Sequence, residues 1–136
     1  MSRRRKAREI ILQSLYADDI SGTGWKETLK DTVERRGSTD ETVEYASRVM
    51  NNILESREAL DKMIEESLEN WKLERVAIVD RIILQIALAE LIYCQEVPTG
   101  VIINEAIEIA HKFSSGKAGS FVNGILDKLA KEIRKE

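Results

Sequence analysis

At 136 residues the chain has the length of one domain, enough to bury about two thirds of its unfolded surface. Hydrophobic residues at 43% and charged residues at 33%, against a usual charged share of about 25%, exclude a disordered or collagen-like chain and indicate a globular one. The net charge of −3 is unevenly divided: residues 1–8 hold five cations and no acid, leaving −8 on the remainder, which disfavours a nucleic-acid coat over the whole surface and favours one local anionic contact.

The elements follow from the breakers and the apolar spacing. From Ala7, Ile11, Leu12, Leu15 and Tyr16 recur at three and four residues, predicting a helix that ends near Ser21 and Gly22. Trp25, Leu29, Thr32 and Val33 predict a short second helix. Ser38 with Glu41 three residues on has the form of a capping box, so a third helix starts after Gly37 and runs along Val43, Ala46, Val49, Met50 and Ile53. Leu60, Met63, Ile64, Leu68 and Trp71 trace a fourth, with Glu58, Asp61, Glu65, Glu66 and Glu69 on its outer face. Val76 to Tyr93 is apolar on nearly every side and belongs in the middle of a bundle. After a break at Val97 to Gly100, with Thr99 as the expected N-cap, Ile102, Ala106, Ile109, Ala110 and Phe113 keep one face. A second break at Ser114 to Gly119 precedes the last helix, marked by Phe121, Val122, Ile125, Leu126, Leu129 and Ile133. The short β-branched runs Ile82 to Leu84 and Val101 to Ile103 would suit strands, but their continuation at helical spacing decides for an all-α chain of about seven helices.

Catalytic and metal chemistry find little support. A lone Cys94 makes no intramolecular disulfide or cysteine zinc cluster, and a reducing cytosol is the expected compartment. His111 lacks the surroundings of a catalytic histidine and is expected at the boundary of its helix; no GxGxxG or P-loop sequence occurs. The longest apolar stretch, Ile82 to Cys94, contains Gln85 and Glu90 and is too short to cross a bilayer. An Arg-rich mitochondrial presequence is opposed by Glu9, Asp18 and Asp19. No enzyme, cofactor or metal is expected.

Binding is better supported. Arg3, Arg4, Arg5, Lys6 and Arg8 repel one another and face the positive end of the first helix's macrodipole, at about 0.3–1 kcal/mol each. Such a cluster calls for an external anion, most simply a phosphate backbone, the alternative being a solvated and frayed terminus. The break Ser114 to Ser120 joins small residues and Lys117 to a helix N-terminus, a possible phosphate seat. Phe121 is either a base-stacking surface or core, and Asn123 and Asn104 are polar groups near apolar faces. Gly124, inside the last helix, is expected to mark close contact with a neighbouring helix.

Five blocks carry a resemblance: Arg4, Arg5, Lys6, Ala7, Arg8 and Glu9 leading to Leu15 and Tyr16; Val79, Asp80 and Arg81 to Ile86, Ala87 and Leu88 with Glu90 and Leu91; Val97 and Pro98; Ile103 to Ala110; and Phe121 to Lys128. In these blocks, in their order and across essentially its whole length, the chain resembles the NusB family of bacterial transcription antitermination factors. The resemblance implies two small helical bundles packed together, with residues 1–136 as a single RNA-binding domain. It also implies binding of the single-stranded boxA element of ribosomal RNA leaders as a pair with NusE, a small-subunit ribosomal protein, the complex then joining RNA polymerase to suppress termination. Arg4, Arg5, Lys6 and Arg8 match the family's RNA-binding arm; Tyr16 and Asp80 match positions at or near the NusE and RNA surfaces; Phe121 and Asn123 fall where the last helix approaches RNA. Lys117 departs from the pattern, standing where many relatives have an acid. The chain ends after its helical part, so the RNA-binding domain of a larger ribosomal RNA methyltransferase fits less well. The alternative class is a helical protein adaptor whose basic N-terminus meets an acidic partner.

Overall fold

Ser2, extended at φ −69° and ψ 154°, turns its hydroxyl back to accept the Arg5 N–H at 3.0 Å and so starts helix α1, Arg3–Ser21. The computed structural model describes residues 2–69 and 72–135 of the chain. Helix α1 begins four residues before the Ala7 of the apolar pattern, so the basic segment forms its first two turns rather than a preceding tail. Gly22, in the left-handed region at φ 68°, closes it through its N–H to the Asp18 carbonyl. Helix α2, Trp25–Arg36, closes the same way at Gly37, φ 62°.

The predicted third and fourth helices are one element, α3, Asp40–Ser67. Its backbone departs from helical values at Ser56 (φ −121°, ψ 15°), where the side-chain hydroxyl donates to the Asn52 carbonyl at 2.6 Å. Its cap also differs from expectation. Thr39, not Ser38, accepts from the Thr42 N–H at 3.3 Å, and the Ser38 hydroxyl is buried without a hydrogen-bond partner among the described residues. Trp71, expected on this amphipathic face, lies outside the described residues. A 3-10 turn, Leu73–Arg75, leads into α4, Ile78–Tyr93, which is followed by α5, Thr99–Phe113, and α6, Ala118–Arg134. No strand occurs among the described residues. At the start of α5 the cap position is Pro98, and the Thr99 hydroxyl accepts from Arg134 instead.

Helix α1 lies against α2, α3 and α4, while α4 contacts α1, α3, α5 and α6, the last two pairing with each other. The arrangement is therefore two helical groups, α1–α3 and α4–α6, joined along α4. As its apolar perimeter requires, α4 is the central helix: Ile82, Ile83, Leu84, Leu88 and Leu91 are fully buried beside Ile10, Ile11 and Leu15 of α1 and Met50, Ile53, Leu60 and Ile64 of α3. Arg134 joins the two ends of the second group by donating to the carbonyls of Glu90, Leu91, Cys94 and Val97, at the end of α4 and in the connection that follows it.

Candidate nucleic-acid interface

Helical spacing divides the five cations of α1 among different neighbours, and the division decides what each can do. Arg8 points inward and is 2% exposed. Its Nε and Nη2 donate in a fork to the two carboxylate oxygens of Glu90, each at 2.7 Å, and its Nη1 donates to Glu105 at 3.3 Å. Glu90, 1% exposed, also accepts the Tyr45 hydroxyl at 2.6 Å. Burial opposes the Arg8 charge, but the Glu90 hydrogen bonds and charge outweigh it and raise its pKa. Burial and then the Glu90 charge push the Tyr45 phenol well above its ordinary value. Arg8 is thus a strut between α1 and α4, its guanidinium engaged by two carboxylates within the fold.

The other four stand closer to solvent. Arg5 pairs with Glu105 of α5, and the Arg5 hydrogen bond and charge hold that carboxyl below the usual range. Arg3 pairs with Glu41 at the start of α3. Lys6 donates to the carbonyls of Arg36 and Gly37 at 3.3 and 3.4 Å, placing its charge at the negative end of α2. Arg4 has no ion pair or hydrogen bond among the described residues; its guanidinium lies 5.2 Å from the centre of the Tyr45 ring. Internal acids and carbonyls therefore offset much of the electrostatic cost that the sequence left open. Ser2, Arg3, Arg4, Arg5, Val101 and Glu105 line a surface groove, floored in part by Arg8. One wall is cationic, and Val101 presents exposed apolar surface on the other.

Two further cations sit beside this groove that the sequence pattern did not single out. Glu9, almost wholly buried, accepts from Arg36 at 2.9 Å and from the exposed Lys112 at 3.1 Å. Through Glu9 the surface of α1 continues from Arg5 and Lys6 to Lys112, in the last turn of α5, close in the chain to Lys117.

The loop between α5 and α6 departs from a simple phosphate seat. Lys117 is exposed at the cap position of α6. Gly119 is buried, and a Cβ added there would lie 2.3 Å from His111 Nε2, so the small residue admits an imidazole rather than a ligand. His111 itself is exposed, as its helix position predicts. Asp80, only 9% exposed, accepts the Ser114 hydroxyl and so tethers the loop to α4. Phe121 packs partly against the core, whereas Asn123 is exposed one turn into α6. Gly124 is exposed and a Cβ there meets nothing within 4 Å, against the expectation of a close helix contact. Tyr16 lies about 18 Å along α1 from Arg4. It is 43% exposed, with Ile20 at 61% one turn further. The arm and Tyr16 thus mark separate surfaces.

The comparisons with known proteins agree on one family. The NusB family model matches residues 5–131. The chain is 38% identical over 131 residues to the transcription antitermination protein NusB of Bacillus subtilis (strain 168), covering 96% of this chain and 97% of that protein. Among solved structures, NusB of T. maritima superposes with a TM-score of 0.89 at 34% identity, covering 95% of this chain and 91% of that one. A crystal structure of antitermination factors NusB and NusE in complex with dsRNA gives a TM-score of 0.88 at 29% identity, covering 97% and 98%.

Proposed function

The chain belongs to the NusB family of transcription antitermination factors, and we propose that it binds the single-stranded boxA element of ribosomal RNA leaders together with NusE and so promotes processive ribosomal RNA transcription. The family is one of RNA-binding factors rather than enzymes, and the action is recruitment: no bond is made or broken. A relative crystallised with NusE and RNA supports this class of partners. The RNA polymerase antitermination complex is the assembly that the pair joins, in the cytoplasm, and no helix among the described residues is long and apolar enough to cross a membrane.

The observation that carries the reading is the groove at the start of α1, with Arg3, Arg4 and Arg5 on its wall and Arg8 locked beneath them. In this reading Arg3, Arg4, Arg5 and Lys6 hold phosphates, with Arg36 and Lys112 continuing the cationic track toward Lys117. Asn123 and the accessible edge of Phe121 meet unstacked bases. Tyr16 and Ile20 offer NusE an apolar surface, and the acidic remainder of the chain repels RNA elsewhere while attracting a basic ribosomal protein.

Titration of a boxA-like oligonucleotide and a scrambled control, each with and without NusE, tests the proposal. Preference for the boxA-like strand that grows when NusE is added is the expected result. Equal binding of both strands in the presence of NusE would overturn it, and binding of NusE with no effect of either RNA would favour the adaptor class.

A further inference from the structure

Tyr45 stands at a junction that the RNA-binding reading leaves unexplained. It lies on α3, outside the basic segment, yet two arginines from different helices lie over its ring: Arg4 at 5.2 Å and Arg48 at 5.4 Å from its centre. Its hydroxyl is held at 2.6 Å by Glu90, the same buried carboxylate that grips Arg8 in a fork. The Arg48 guanidinium also donates to Glu96, at 2.6 Å. Arg4, by contrast, makes no hydrogen bond or ion pair among the described residues, although the Glu96 carboxylate feels its charge; the ring is the contact that restricts its guanidinium.

We propose that Tyr45 is the positioning residue of the RNA interface, holding the Arg4 guanidinium in the groove at the orientation in which it receives a phosphate. The inference rests on the RNA-binding reading above and names how one of its cations is kept in place. A free arginine side chain loses its rotamer freedom when it engages a phosphate, and this loss weakens binding. An aromatic face attracts a guanidinium without neutralising it, so the charge stays available to the ligand while its position is restricted. A carboxylate, as at Arg3 and Arg5, restricts the side chain but competes with the phosphate. The buried fork to Arg8 fixes the ring's hydroxyl, so the platform and the helix that carries Arg4 share one anchor, Glu90.

The test is a double-mutant cycle on binding of a boxA-like single-stranded RNA oligonucleotide, with folding of each variant checked by thermal melting. Tyr45→Leu removes the aromatic face and is expected to weaken binding about threefold, the size of an exposed cation–π contact. Tyr45→Phe keeps the face and is expected to bind within a factor of about 1.5 of the parent, even where loss of the Glu90 hydrogen bond lowers the melting temperature. In an Arg4→Ala background, Tyr45→Leu is expected to have no further effect. Arg4→Ala alone weakening binding while Tyr45→Leu does not would overturn the positioning role and leave the RNA-binding reading standing. An equal loss from Tyr45→Leu in both backgrounds would also overturn it, because the effect would then pass through the scaffold. Unchanged RNA binding by Arg4→Ala would instead refute the assignment of the arm, and this inference with it.

Discussion

Two arginines one helical turn apart, Arg4 and Arg8, have opposite environments, and single substitutions separate their roles. Arg8→Ala leaves Glu90 buried without its cation, a change that costs about 3–5 kcal/mol in comparable buried pairs. A clear fall in melting temperature is expected, with RNA binding lost only as the fold loosens. Arg4→Ala removes an exposed side chain and is expected to leave the melting temperature within about 1 °C while weakening RNA binding several-fold. Thermal melts alongside RNA titrations of the two variants check both halves of the prediction. The sequence displayed the cluster but not this division. Arg8 meets acids 82 and 97 residues away, and Arg5 meets one 100 residues away, so no local pattern could assign them. One signal was present: Glu90 stands inside the most apolar helix of the chain, and a carboxylate there requires a buried cation. The partners of Asp80 and Gly119, Ser114 and His111, come from packing α5 against its neighbours and were not legible either.

Among the elements, boundaries set by backbone chemistry were legible and those set by competition between similar side chains were not. Gly22 and Gly37 end α1 and α2 in the left-handed conformation that glycine adopts without strain. The start of α3 was expected to be capped by Ser38, and the hydroxyl that reaches the free N–H belongs to its neighbour Thr39. Thr39→Ala is therefore expected to cost about 1 kcal/mol and Ser38→Ala essentially nothing, read as midpoints of denaturant unfolding. The continuity of α3 through Ser56 was hidden because residues 55–58 are polar and interrupt its apolar stripe. Gly124 looked like a contact point because glycine inside a helix is costly. It is exposed instead, and Gly124→Ala is expected to stabilise the chain by about 1 kcal/mol in the same assay.

At the scale of the molecule, the all-α class, the central α4 and the acidic body with one basic end followed from composition and periodicity alone. What composition left out was how the basic end is balanced from within. Glu105 has a depressed pKa in the folded chain, because Arg5 hydrogen-bonds its charged form. A depressed carboxyl adds stability that is complete above the unfolded value, about 4.3, and disappears as pH falls through the folded one. Tyr45 behaves in the opposite sense: its raised pKa contributes stability below about pH 10 that is lost as pH rises further. Melting temperatures are therefore expected to drop on both sides, with Glu105→Gln reducing the acid loss and Tyr45→Phe the alkaline one.

The central claim is that phosphates of an RNA strand engage the solvent-facing cations at the start of α1, while Arg8 keeps that turn in place. It is tested most directly by the salt dependence of RNA binding, for the parent and for a variant with Arg3, Arg4, Arg5 and Lys6 replaced by alanine and Arg8 retained. Loss of four phosphate contacts predicts that log affinity falls with log salt less steeply in the folded variant than in the parent, by about 3 units of slope. A variant that binds the same RNA with the parent's affinity and the parent's slope would contradict the account.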